Sequence, residues 1–128
     1  KAAMSASHLG LGHLVAIVDY NKLQVDGPVS DVMEIAPLAD KWRAFGWVVR
    51  EVDGHDMTAV VDVLEAAWRV DDRPVVVIAH TVKGKGVSFM EGDFLWHSRV
   101  PTDQELAAAL EELKEPSTDG QGGACDAC

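Results

Sequence analysis

The sequence predicts an α/β domain, an incomplete doubly wound parallel sheet of about three strands with flanking helices. Three observations point there. Residues 14–18 and 74–79 are short, nearly continuous apolar runs of strand length, apolar on both faces as strands covered on both sides are. Between such runs the apolar residues recur at helical spacing, and this alternation implies parallel strands joined by right-handed crossovers. Each of the two runs is followed by a long polar loop, the place where open α/β sheets take ligands. Three strands make a thin sheet, so the apolar faces call for further strands upstream. The order of the strands is not readable from the pattern.

Residues 1–11, KAAMSASHLGL, are small and helix-compatible, and glycines stand at 10 and 12. They read as the end of a helix begun upstream, because nothing before Ala2 supplies a cap. On that reading the chain opens inside a domain and is a fragment. Residues 14–19 form the first strand, expected to be central. The loop over 20–36 is long for an α/β connection and carries the turn signal Asp26-Gly27-Pro28. Pro37 opens a helix at its first helical position. Leu38, Trp42 and Phe45 are its buried stripe, and Gly46 stops it.

Residues 47–52, WVVREV, form a second, more polar strand. Asp53-Gly54-His55-Asp56 then turns into a helix from 57 to about 70, with Met57, Val60, Val61, Leu64 and Trp68 at helical spacing. Residues 74–79 are the third strand. The loop over 80–101 is punctuated by glycine and holds Lys83, Lys85, His97 and Arg99. Thr102 and Glu105 make a capping box for the last helix, lined inside by Leu106, Leu110 and Leu113 and ended by Pro116. Residues 1–115 therefore read as a partial domain and 116–128 as a disordered tail. Trp42, Trp47 and Trp68, on periodic apolar positions, are assigned to the core.

Composition excludes several classes. A net charge of −10 leaves no basic stripe for nucleic acid, and it requires an anionic ligand to be drawn in by local positive charge. No apolar run nears the roughly 18 residues that cross a bilayer, and the first residues lack a signal peptide's basic start and apolar core. The default compartment is cytoplasmic. Cys125 and Cys128 have the spacing of half a zinc site, but no second pair completes four ligands. A tail position is preferred for them over a metal or redox role.

The two long loops leave the carboxyl ends of apolar strands and should meet at one edge of the sheet. One offers the Asn21 carboxamide and turn carbonyls, the other two lysines among glycines and then His97. Oxygen donors without thiolates suit a hard cation such as Mg²⁺ or Ca²⁺, and Mg²⁺ commonly pairs one or two protein groups with phosphate oxygens. A lysine in a glycine-rich loop serves phosphate as a point charge. Physics alone thus proposes a metal–diphosphate site, although neither loop matches a Walker loop or a GxGxxG fingerprint. His8, His13 and His55 read as surface or capping residues. His80 ends the third strand within reach of the same edge, with a structural role preferred. Asp19 either contacts the loop or caps backbone groups, and Lys85 has no assigned role.

AAMSASH, LVAIVDYNKLQVDG, LADKWRAFGWVVREVDGHD and AHTVKGKGVSFME followed by Trp96-His97 together resemble the thiamine-diphosphate-binding section of transketolase, in particular its split, N-terminal-subunit form. The resemblance covers about residues 2–113 and keeps the family's motif order. It implies the thiamine-diphosphate-binding fold, with thiamine diphosphate and Mg²⁺ as cofactors. Asn21 matches the asparagine whose side-chain oxygen binds the metal, and Leu23 the residue whose backbone carbonyl is a second metal ligand. Lys83 matches a lysine close to the cofactor. His97 matches a histidine near the diphosphate and the reacting end of the substrate, with a catalytic role in hydrogen bonding and proton movement.

The resemblance further implies transfer of a two-carbon ketol unit between sugar phosphates. The implied partner is a C-terminal, pyrimidine-binding section or subunit, in a homodimer or heterotetramer. The family's Gly-Asp-Gly, whose aspartate is a metal ligand, has no counterpart here, so the chain alone is expected to be inactive. Two alternatives stand beside this reading. One is a thiamine enzyme like 1-deoxyxylulose-5-phosphate synthase, which also carries a KGKG…WH loop. The other is a non-catalytic α/β module that docks a partner.

Overall fold

The computed structural model describes residues 1–114. In chain order its elements are helix α1 (Ala2–His8), strand β1 (Val15–Tyr20), short strands β2 (Leu23–Gln24) and β3 (Gly27–Pro28), helices α2 (Val29–Val32) and α3 (Leu38–Ala44), strand β4 (Val48–Asp53), helix α4 (Met57–Trp68), strand β5 (Val75–His80), a 3-10 turn at Phe94–His97, and helix α5 (Asp103–Glu112). The tail and its two cysteines lie outside the described residues.

β1, β5 and β4 form one parallel sheet in that order. The expected α/β class and parallel sheet are present, but the central strand is β5 and not β1. Val75 to Ile78 are buried completely or nearly so, whereas Ile17 of β1 is 62% exposed. Both strands are apolar runs, and such a run marks a strand suited to cover on both faces without saying which one sits in the middle. The register sets Tyr20, His80 and Asp53 side by side. All three strands therefore end flush, and the loops after them share one edge.

The two faces of the sheet are covered differently. On one, Ala6, Trp47, Val76 and Ile78 form a buried cluster joined by Ala3, Val18, Leu38 and Trp42. Trp42 and Trp47 meet edge to face with ring centroids 4.8 Å apart. The Trp47 indole donates to the Ala3 carbonyl at 2.8 Å, tying α1 to the start of β4. On the other face α4 sets Val63, Leu64 and Ala67 against Val75 and Val77.

Several residues expected in the core are exposed. α4 faces the sheet with Val63, Leu64 and Ala67; of the 57–60–61–64–68 stripe read from spacing, Val60 and Leu64 are half-buried, and Met57, Val61 and Trp68 point outward, Trp68 at 71% exposure. Small Ala67 lets the helix approach the strands closely, and larger residues take the flank. Phe45 and the Leu106, Leu110 and Leu113 stripe of α5 are also exposed, and Ala109 is the buried residue of α5. Spacing locates an apolar stripe, and only packing decides how much of it is covered.

Among the described residues the helix starts and stops hold with small shifts, and the expected stop at Pro116 lies outside them. Pro37 is the residue before α3 rather than its first, and Gly46, at φ 85°, ends the turn after it. Thr102 and Glu105 form the capping box of α5 with both reciprocal hydrogen bonds. The 20–36 loop is more ordered than expected, since it holds the β2–β3 hairpin and the single turn of α2. No helix among the described residues is long and apolar enough to cross a membrane.

Candidate functional site

The first loop is built by Asn21. Its Oδ1 accepts the Leu23 amide at 2.9 Å, closing a tight side-chain turn directly after β1. That turn holds Lys22 in the left-handed region at φ 63°, a conformation non-glycine residues adopt at a cost. The Val29 amide reaches back to the Lys22 carbonyl at 3.0 Å, and Leu23 pairs with Pro28 across the hairpin. A carboxamide oxygen has two lone pairs, so Asn21 keeps one acceptor direction beyond the turn it makes.

The second loop is built by glycine. Gly84 and Gly86 take φ of 71° and 96°. At Gly84 an added Cβ would lie 2.5 Å from the Met90 carbonyl oxygen, so only glycine lets the two limbs of this loop pass. The Gly92 amide donates to the Lys83 carbonyl at 2.9 Å. Glu91 accepts the Gly86 amide at 3.0 Å and pairs with the Lys85 ammonium at 3.3 Å. Those two contacts, the Gly86 amide first, hold the Glu91 carboxyl below its ordinary value.

His97 closes the 3-10 turn. Asp93 caps that turn by accepting the Leu95 amide at 2.9 Å, and the Trp96 indole donates to the Phe89 carbonyl at 3.1 Å. The Arg99 guanidinium lies 4.2 Å over the Trp96 ring and pairs with Glu105 of the α5 capping box. The first turn of α5 therefore braces the segment that carries His97.

Asn21, Leu23, Lys83 and His97 line one open cleft of about 440 Å³, together with Gln24 to Asp26 of the hairpin. All four residues singled out in the sequence meet there. Asn21 and Lys83 are half-buried and His97 is exposed. Asp26, read in the sequence only as a turn signal, brings a carboxylate to the same cleft. Its place beside a lysine-bearing loop is a tertiary fact with no local signal.

Other candidates fall elsewhere. His80 hydrogen-bonds Glu51 at 3.0 Å, stacks edge-on against Tyr20, and borders a separate cleft with Lys85 and His55. Asp19 binds the Thr81 hydroxyl, joining the loops after β1 and β5 at their roots. His55, read as a surface or capping residue, is exposed and accepts the Val82 amide at 2.8 Å. Among the described residues no group of three or more His, Cys, Asp or Glu is placed to hold a metal ion.

The groups around the main cleft are the Asn21 and Gln24 carboxamides, the Asp26 carboxylate, backbone carbonyls and the His97 imidazole, with the Lys83 ammonium beside them. The oxygens suit a hard cation that completes its shell with phosphate oxygens, the ammonium suits the phosphate, and one carboxylate without thiolates is not the cage of a structural metal. Sheet and cleft together define an α/β protein with its polar groups gathered at the carboxyl edge of parallel strands.

The particular family follows from comparison with known proteins. The chain belongs to the transketolase family, matching over residues 1–115 the family described as transketolase, thiamine diphosphate binding domain. It is 43% identical over 115 residues to the 6-deoxy-6-sulfo-D-fructose transketolase subunit SqwG of Clostridium sp. (strain MSTE9), covering 90% of this chain and 42% of that relative. It is 46% identical over 115 residues to an apulose-4-phosphate transketolase subunit of Actinobacillus succinogenes, covering 90% and 41%. Among solved structures it is similar to transketolase from Campylobacter jejuni subsp. jejuni, with a TM-score of 0.81 and 25% identity over 87% of this chain and 17% of that one. The chain thus spans about two fifths of the length of the curated subunits it matches.

Proposed function

We propose that this chain contributes the diphosphate- and metal-binding part of a transketolase subunit, in an assembly that moves a two-carbon ketol unit between sugar phosphates. The observation that carries the reading is the convergence of Asn21, Leu23, Lys83 and His97 on one cleft. Family membership supports thiamine diphosphate as the ligand, and the oxygen-rich donor set supports Mg²⁺, with Ca²⁺ as a substitute. When bound, thiamine diphosphate would supply the carbanion stabilisation that moving a ketol unit requires.

The chain's own groups then have distinct tasks. Asn21 offers its free Oδ1 lone pair to the cation, and Leu23 offers its backbone carbonyl. Lys83 supplies positive charge to the diphosphate, which a chain of net charge −10 must provide locally. His97, on its braced turn, hydrogen-bonds the substrate's reacting end and moves a proton there. Two protein oxygens would leave the rest of the cation's shell to phosphate oxygens and further ligands. The names of the relatives as transketolase subunits support a partner carrying the pyrimidine-binding section, in a dimer or heterotetramer of the two sections.

Calorimetric titration of the chain with thiamine diphosphate, with and without Mg²⁺, tests this directly. Weak binding, with Kd on the order of 0.1–1 mM, is expected with Mg²⁺. Chelation or Asn21→Ala should abolish it. Affinity unchanged by both, or no binding at millimolar ligand, contradicts the proposal.

A further inference from the structure

We infer that His55 is a positioning residue for Lys83, acting through the backbone of Val82. The inference rests on the diphosphate role proposed for Lys83, and its evidence is a set of contacts between two loops far apart in sequence. The turn between β4 and α4 is rigid on its own account. His55 donates its amide to Asp53 Oδ1 at 2.9 Å, and Asp56 caps α4 by accepting the Ala59 amide at 3.0 Å.

That turn is fastened to the start of the lysine loop at two points. The Gly54 amide donates to the His80 carbonyl at 2.9 Å. The Val82 amide donates to His55 Nε2 at 2.8 Å. The approach is close: a Cβ on Gly54 would lie 2.5 Å from Thr81 Cγ2 and 3.3 Å from Ala79 Cβ. Beyond Val82 the loop is closed by its own bonds, from the Lys85 amide to the Val82 carbonyl at 3.2 Å and from the Gly92 amide to the Lys83 carbonyl at 2.9 Å. The loop is thus a small rigid unit, and the His55–Val82 bond sets its angle to the sheet.

An imidazole nitrogen that accepts an amide proton carries no proton itself, so His55 is held as the neutral tautomer protonated at Nδ1. His55 does not line the main cleft and borders the neighbouring one with His80 and Lys85. Its contribution is to fix the Thr81–Val82 peptide, and through Val82 the direction in which the Lys83 side chain leaves the backbone toward Asn21. Of the acceptors available at this length, Gln is the closest substitute, because its Oε1 reaches as far as Nε2.

The test follows the chain by nuclear magnetic resonance in wild type, His55→Phe, His55→Gln and His55→Asn, whose side chain is polar but ends short of Val82. The ¹⁵N shifts of His55 should report the Nδ1–H tautomer. Exchange of the Val82 amide should accelerate tenfold or more in His55→Phe and His55→Asn and return toward wild type in His55→Gln. The midpoint of a titration with thiamine diphosphate and Mg²⁺, read at Asn21, should rise at least threefold in the Phe and Asn variants and recover with Gln. Should the Phe variant fail to fold, the Asn variant carries the same comparison. Unchanged Val82 exchange, or the opposite tautomer, overturns the inference. An unchanged midpoint in these variants while Lys83→Ala raises it overturns the positioning role alone. An unchanged midpoint in Lys83→Ala as well sinks the diphosphate reading, and the inference with it.

Discussion

At the scale of single residues, the site is held by side chains that spend one acceptor on the backbone and keep another. Asn21 closes its own turn, lines the cleft, and has a second Oδ1 lone pair left over. Glycine has the opposite task of removing atoms. Gly12 has the tightest approach, since a Cβ there would lie 1.8 Å from the Asp71 carbonyl oxygen, while Gly10, at φ 62°, has nothing within 4 Å. Gly12→Ala is therefore expected to cost about 3 kcal/mol or more through forced backbone movement. Gly10→Ala should cost only about 1 kcal/mol, from the left-handed backbone. Urea unfolding of the two variants separates these causes, and equal losses would show that the Gly12 contact relaxes freely. Asn21, Leu23, Lys83 and His97 were legible as candidates because they sit in motifs. Asp26 and His55 were not, because what matters for each is a neighbour from another loop.

At the scale of elements, starts and stops were legible where a side chain makes them. The Thr102–Glu105 capping box is the clearest case, and Thr102→Ala should destabilise α5 by about 1 kcal/mol. Glu105 is held below its ordinary value by the Thr102 amide and hydroxyl and then by Arg99, and Glu91 by the Gly86 amide and Lys85. Both carboxyls titrate lower in the folded chain than in the unfolded one. Their stabilisation is thus complete above the unfolded value of about 4.3 and is lost as pH falls through the lower folded values. Helicity of α5 and order of the 84–92 loop should hold at pH 6 and weaken slightly in that acid window, because both carboxyls are solvent-screened. Loss already at pH 6 would contradict the assignment. The buried faces of α4 and α5 were not legible in the same way. In α4 the spacing fits two adjacent stripes that share Leu64, and the sheet selected the one containing Ala67.

At the scale of the whole molecule, the parallel α/β class followed from alternation, but the strand order did not. Loops bring β5, last in the chain, between β1 and β4. The consequence is a sheet whose stability resides in its middle strand. Ile78→Ala, at a fully buried site, is expected to cost about 2–5 kcal/mol. Ile17→Thr, on the exposed edge strand, should change stability by no more than about 0.5 kcal/mol in the chain alone. A larger loss at residue 17 than at 78 would reverse the order of importance of the two strands. The flush register of the three strands also explains how loops sixty residues apart come to share one cleft.

The central claim is that two loops at this edge hold one metal–diphosphate unit between them. An amide chemical-shift titration of the chain with thiamine diphosphate and Mg²⁺ tests it most directly. The predicted result is a set of saturable changes concentrated at residues 21–26, 83–86 and 97, dependent on Mg²⁺ and absent in Asn21→Ala. Changes confined to one of the two loops, scattered over the exposed apolar faces, or indifferent to Mg²⁺ would contradict it.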